Sequence, residues 1–232
     1  MKLAIMQPYI FPYLGYYQLV SCVDKFVIYD DVNYINKGWI NRNNILVNGK
    51  AFLFTIPLKN ASQNRRINET ELPEDHSWKS KFLKTVEMSY KKAPFFSVTF
   101  SLLNDVINSN ATHIHQMAIS SIRIIADYLG LQAHFVTGSA VYNNSNLKAQ
   151  QRILDICCRE QASHYINPIG GMELYSRELF EAEGIKISFL KTGEYRYKQF
   201  DSQFTPHLSM IDVLMFNSRE QIAALLKEYQ LV

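Results

Sequence analysis

Two short apolar runs near the N-terminus, Leu3-Ala4-Ile5-Met6 and Phe26-Val27-Ile28-Tyr29, are each closed by polar residues, Gln7-Pro8 and Asp30-Asp31. Unbroken apolar runs of this length suit strands buried on both faces, and residues 13–23 between them carry helix-compatible spacing. The pattern therefore predicts strand, helix, parallel strand. From residue 33 to 44 the chain is polar and aromatic without a period, and then 45–47 and 51–56 flank Asn48-Gly49, a strong short signal for a β-hairpin. After His76 helical periodicity dominates. Ile114, Met117, Ala118, Ile122, Ile125, Ala126 and Leu129 fall on one stripe that Gly130 ends. The pattern then alternates: 134–136 strand, 147–161 helix, 164–166 strand, 172–182 helix, 185–190 strand. A final helix over 218–229 has Ser218 as N-cap and Ile222, Leu225 and Leu226 facing inward. Such alternation builds βαβ units. The expected fold is a single α/β domain over 1–232, Rossmann-like, with a mostly parallel sheet, several added helices, a sub-lobe of helices around 77–130 and a small β-hairpin insertion.

Composition narrows the function classes. Hydrophobic residues make up 47% and charged residues 19% of 232 positions, enough apolar material for a substantial core and too little charge for a disordered polyelectrolyte. Lys plus Arg (24) nearly balances Asp plus Glu (21), and basic runs stop at Arg65-Arg66 and Lys91-Lys92, so a dedicated nucleic-acid surface is not expected. The three cysteines, Cys22, Cys157 and Cys158, form neither a disulfide framework nor a CxxC spacing and fit a reducing cytoplasm. Gln7, Pro8, Pro12 and Gly15 interrupt the apolar start, which argues against an export signal or a stable membrane insertion.

Three stretches carry chemistry. Gln7, Tyr9, Tyr13, Gly15 and Tyr16 follow the first strand, where ligands sit in open α/β sheets; their rings either stack on a base or sugar or fill the space between helix and sheet. Asp30 and Asp31 close the second strand, and if the strand alternation continues through them, one carboxylate reaches the site while the other ties down the loop. Lys37 and Arg42 are natural phosphate partners, Trp39 is a stacking platform, and Asn41 and Asn43 can fix orientation. Asn167, Gly170 and Gly171 join a strand to a helix; the glycines let backbone approach a ligand, though a plain turn explains them as well. His113 and His115, two apart on a helix, face different directions and do not make a metal site. Cys157 reads as buried thiol, with a minor role as nucleophile left open because no Gly-x-Ser-x-Gly is present. His207, in a loop before an apolar segment, is the histidine suited to general-base work.

Gln7-Pro8-Tyr9 with Phe11-Pro12-Tyr13-Leu14-Gly15-Tyr16, residues 26–32, Gly38-Trp39-Ile40-Asn41-Arg42-Asn43, Pro57-Leu58-Lys59, Ser62-Gln63-Asn64, Ser89-Tyr90, residues 165–171 and Leu208-Ser209-Met210-Ile211-Asp212 together resemble the WbqC-like protein family. The resemblance covers nearly the whole chain and implies a setting in the synthesis of O-antigen and other surface polysaccharides. A fainter likeness joins Tyr13-Leu14-Gly15-Tyr16 to the strand-to-helix block of HxGH nucleotidyltransferases, with tyrosines in both histidine positions. Neutral tyrosine donates more weakly to developing phosphate charge, so a ligand geometry could persist without adenylyl transfer. The expectation built on these likenesses is a cytoplasmic transferase moving an acyl or aminoacyl group onto a nucleotide-activated or lipid-linked amino sugar, with no cofactor specified. Tyr9, Tyr13, Tyr16 and Trp39 would stack, Lys37 and Arg42 would neutralise a diphosphate, Asp30 or Asp31 would accept a proton, and Asn167, Gly170 and Gly171 would close the pocket. A nucleotidyltransferase-like enzyme and a noncatalytic sugar-binding scaffold are the alternatives.

Overall fold

Each apolar run of the N-terminal half forms the element its pattern predicts. In the computed structural model, which describes residues 1–200 and 203–232, β1 (Lys2–Met6) buries Leu3, Ala4 and Ile5, and β2 (Lys25–Ile28) buries Phe26, Val27 and Ile28. Both strands are covered on two faces, which is why they read as continuous apolar runs rather than alternating ones. They pair in parallel from Leu3↔Lys25 to Met6↔Ile28. Between them α1 (Leu14–Ser21) is buried at every position except Ser21. Its second residue is Gly15 because an added Cβ would lie 2.5 Å from Tyr13 Cε2 and 2.6 Å from Thr192 Oγ1.

β5 (His134–Val136), β6 (His164–Pro168), β7 (Lys186–Thr192) and β8 (Tyr229–Leu231) complete a sheet of order β5-β2-β1-β6-β7-β8, parallel except for β8. The first five strands follow the doubly wound Rossmann order, whose topological switch point lies between β1 and β6. There the register is confined to Lys2↔His164 and Leu3↔Tyr165. The sheet therefore parts toward the carboxyl ends of these two strands, and a crevice opens between Met6 and Pro168. The carboxyl ends of β1 and β2 lie side by side, as the buried runs predict.

The hairpin forms where Asn48-Gly49 predicts it, from β3 (Arg42–Val47) and β4 (Lys50–Thr55), with Asn48 at φ 50° and Gly49 at φ 74°. Two consecutive positive φ values define the turn whose twist matches a hairpin. It packs against α2 (Ser77–Tyr90), α3 (Phe96–Ile107), α4 (Ile114–Leu129), α7 (Met210–Phe216) and α8 (Arg219–Leu225) in one apolar cluster. Gly130 ends α4 in the left-handed region, φ 71°. α5 (Ala149–Arg159) and α6 (Arg177–Ala182) cover the other face of the sheet with Tyr142 and Phe180.

Two elements differ in kind from the sequence reading. The helix expected over 172–182 is broken: a 3-10 segment, Ile169–Leu174, is followed by α6, whose Ser176 hydroxyl accepts a hydrogen bond from Leu179 N–H. The last helix stops at Leu225, and Tyr229 to Leu231 then pair antiparallel with Thr192 to Leu190. Three residues are too few to show a period, and a sheet edge is not visible from local sequence.

Candidate functional site

The crevice at the switch point widens into a cavity of about 940 Å³. Its floor is Ile5 and Met6 of β1 with Asn167 and Pro168 of β6, the carboxyl ends expected to hold ligands in this topology. Five aromatic rings line it, those of Tyr9, Tyr13, Tyr29, Tyr175 and Trp39, interleaved with the amides of Gln7, Asn43, Asn44, Gln150 and Asn167. Ile35, Ile153 and Leu174 add apolar wall, and Gly170, Gly171 and His207 complete the rim. No Asp, Glu, Lys or Arg is among the described lining residues.

The tyrosines there are neutral hydrogen-bonding groups. Burial, with a smaller contribution from Tyr13, pushes the Tyr9 hydroxyl up to about 12, and burial raises Tyr13, Tyr29 and Tyr175 as well. The amides divide by what already holds them. Asn43 Nδ2 donates to the carbonyls of Ile10 (3.3 Å) and Phe11 (2.8 Å), and its Oδ1 accepts Asn44 N–H. It thereby locks the turn at Phe11, a non-glycine residue at φ 42°. Asn167 Oδ1 accepts the Tyr165 hydroxyl (3.1 Å), which also contacts the Tyr175 hydroxyl (3.3 Å), so the β6 amide and the Tyr175 ring are set by one buried phenol. Gln150 Oε1 accepts Ser176 N–H. The side-chain amides of Gln7 and Asn44 have no protein partner among the described residues and are available to a ligand.

Of the residues predicted from sequence, the structure brings Gln7, Tyr9, Tyr13, Trp39, Asn43, Asn167, Gly170, Gly171 and His207 together around this cavity. It does not bring the others. Tyr16 is 1% exposed and donates its hydroxyl to the Gln7 carbonyl; it belongs to the core behind the site, since position 16 is two residues into α1 whereas Tyr13 precedes it. Gly15 serves helix packing. Asn41 is buried between the Tyr34 hydroxyl and the Ile56 carbonyl. Arg42 turns back on its own loop, donating to the carbonyls of Gly38 and Lys37, with its guanidinium 5.8 Å from the Trp39 ring; Lys37, at φ 60°, is exposed on that loop.

The carboxylates correct the sequence reading most. Asp30 accepts Ser139 N–H at 3.1 Å, and Asp31 accepts both the Ser139 hydroxyl and the Arg152 guanidinium. Both are 5% exposed or less, both meet the same turn, and neither lines the cavity. β2 ends at Ile28, so strand alternation no longer governs these residues. Burial raises the Asp30 carboxyl above the ordinary range. Arg152, fixed by Asp31 and by Asn144 Oδ1 (2.9 Å), lies 5.0 Å from the Tyr29 ring, so the ion pair supports one wall of the cavity from behind.

Cys157 is wholly buried, and burial pushes its thiol well above the usual range, which removes it as a nucleophile. His113 is the N-cap of α4 with extended backbone, not a helical residue, and its ring centroid lies 5.8 Å from that of His115; the expectation that the two face apart is corrected. Among the described residues no group of three or more His, Cys, Asp or Glu side chains is arranged to hold a metal. No described helix is long and apolar enough to cross a membrane.

Sequence reasoning missed Tyr29, Asn44, Gln150 and Tyr175. Tyr29 carried a usable signal, since it ends the second apolar run at a strand terminus. Gln150 and Tyr175 reach the cavity only through the packing of α5 and α6.

Comparison with known proteins gives a family and little chemistry. The model of the WbqC-like protein family matches residues 7–224. A curated relative from Mycobacterium tuberculosis, described as an uncharacterized protein, is 27% identical over 219 residues, covering 93% of each chain. No solved structure matches the chain significantly.

Proposed function

The chain belongs to the WbqC-like protein family, and we propose that it is a cytoplasmic transferase of surface-polysaccharide synthesis whose cavity seats the sugar of a nucleotide-activated or lipid-linked amino sugar. The observation that carries this reading is the lining: five aromatic rings, five side-chain amides and no formal charge among the described lining residues. Aromatic faces take the C–H face of a pyranose, and amides pair with hydroxyl and acylamino groups, whereas a phosphate buried among the described lining residues would meet no Lys or Arg. A diphosphate would sit outside, toward the loop that carries Lys37 and Arg42 beside Trp39. His207 is the one imidazole among the described lining residues, and in this reading it takes the proton of the acceptor amine or hydroxyl. Asp30 and Asp31 support the site from behind.

Saturation-transfer NMR with UDP-N-acetylglucosamine and N-acetylglucosamine tests the reading. Sugar-ring protons should receive more saturation than the uridine, and Trp39→Ala should weaken binding by about tenfold, the scale of one stacking contact. His207→Gln should lower transfer by on the order of 10²–10⁴-fold while sugar affinity stays within a few-fold. Saturation confined to the nucleotide, with the sugar untouched, refutes the seat. Normal sugar binding with turnover indifferent to His207→Gln puts the proton acceptor elsewhere, and normal sugar binding with no turnover at all favours a noncatalytic carrier. The nucleotidyltransferase alternative is disfavoured by Tyr16, whose hydroxyl is spent on the Gln7 carbonyl.

A further inference from the structure

A second cavity of about 550 Å³ adjoins the first, and the two have His207 in common. Its walls come from the stretch between β7 and α7, including Glu194, Tyr195, Arg196 and Phe204. The charges are segregated. The main cavity has none among its described lining residues, while the described lining of this one includes the Glu194 carboxylate and the Arg196 guanidinium, two residues apart on an irregular stretch. Both side chains are exposed, and neither enters an ion pair among the described residues.

The stretch is anchored. Tyr197, stacked 6.4 Å from Tyr195, donates its hydroxyl to Asp212 Oδ1 at 2.6 Å, and Gln199 Nε2 donates to the same oxygen at 2.7 Å. Asp212 is wholly buried at the start of α7, with Tyr90 of α2 on its other oxygen, so two donors of this stretch tie it to a buried carboxylate of the core. His207, which lines both cavities, sits at φ 58°, a left-handed conformation that a non-glycine residue adopts at a cost.

We propose that the second cavity is a subsite for the zwitterionic end of an α-amino acid, the ammonium on Glu194 and the carboxylate on Arg196, with Tyr195 and Phe204 flanking the side chain. A guanidinium takes a carboxylate in a two-pronged hydrogen bond, and a carboxylate beside it takes an ammonium; together they select the zwitterion over a simple anion or cation. The inference rests on the transferase reading only for the purpose of this second ligand, which would bring an amino-acid moiety to the opposite side of His207 from the sugar.

Calorimetry on the full chain with L-alanine tests it, with propionate and ethylammonium as the two half-ligands. L-Alanine should bind at least tenfold more tightly than either half. Arg196→Gln and Glu194→Gln should each weaken it by about ten- to a hundredfold, the scale of one charge-assisted hydrogen bond, with melting temperatures unchanged because both side chains are exposed. The subsite is refuted if L-alanine does not bind, if both variants bind it like the wild type, or if propionate matches it, which would mean a plain anion site. N-Acetylglucosamine binding in the same variants should be unaffected. Loss of sugar binding in the wild type with L-alanine behaving as expected would sink the sugar reading and leave this one standing.

Discussion

Replacing Asp31 with Asn separates support of the site from chemistry within it. The carboxylate and the Arg152 guanidinium are 3% and 5% exposed at the side chain, so removing one charge strands the other in a poorly solvated place. Breaking a buried pair in this way costs about 3–5 kcal/mol, mostly the penalty of the uncompensated ion. Two features pull the value toward the lower end. Arg152 keeps its hydrogen bond to Asn144 Oδ1 at 2.9 Å, and the Tyr29 ring 5.0 Å away offers a cation–π contact of roughly 0.5–2 kcal/mol. A loss near 3 kcal/mol, at about 2–4 °C per kcal/mol for a chain of this size, lowers the melting temperature by about 6–12 °C. Arg152→Met alone should destabilise comparably, since it leaves Asp31 unpaired. The double variant should recover to within about 1–2 kcal/mol of the wild type, because both buried charges are gone. Thermal melts and urea titrations of all four proteins close the cycle. A melting temperature within about 1 °C of wild type in Asp31→Asn, or additive losses in the double variant, would refute the pairing argument. A stable Asp31→Asn protein that loses only turnover would restore the carboxylate as a proton acceptor.

Gly171→Ala should cost about 1–3 kcal/mol by overpacking and weaken sugar binding, because the new Cβ would stand 2.1 Å from Asn167 Nδ2; Gly170→Ala, with nothing within 4 Å, should melt like wild type by calorimetry. Iodoacetamide should modify the exposed Cys158 of the native protein and reach Cys157 only after denaturation, as mass spectrometry of the two adjacent positions would show; early Cys157 labelling would contradict its burial. His115 is held down to about 4, chiefly by burial and then by His113, so its unfolded form binds more protons between about 4 and 6.5. Its contribution is intact above the unfolded value and is lost as pH falls toward 4. The slope of melting temperature against pH in that window should flatten in His115→Asn, and an unchanged slope would place the titration elsewhere.

The fold is legible where β1 and β2 are buried on both faces and α4 on one. Leu3 to Ile5 and Phe26 to Ile28 could not be exposed strands, and the stripe through Ile114, Ile122 and Ile125 could only be an amphipathic helix. What escaped local reading depends on partners distant in sequence. β8 exists because Leu190 to Thr192 offer a free edge to Tyr229 to Leu231, and nothing within those three residues announces it.

Side-chain direction near a strand end is the harder quantity, and it decides the chemistry of this site. Sequence locates Asp30, Asp31, Lys37 and Arg42 close to the carboxyl end of β2, where ligands bind, and charge makes them the natural candidates. Between Ile28 and the start of β3 at Arg42, however, the backbone follows neither the period of a strand nor that of a helix, so proximity along the chain no longer fixes which way a side chain points. Burying an ion costs several kcal/mol unless it is paired, and each of these charged groups found a partner or solvent outside the cavity: Asp31 took Arg152, Asp30 took a backbone N–H, and Arg42 took two carbonyls of its own loop. Neutral groups face a smaller penalty at the crevice between β1 and β6, and tyrosine and asparagine occupy it. The uncharged lining thus follows from the same desolvation cost that a bound phosphate would meet there, which is why the sugar, and not its diphosphate, is the part of the ligand assigned to the cavity.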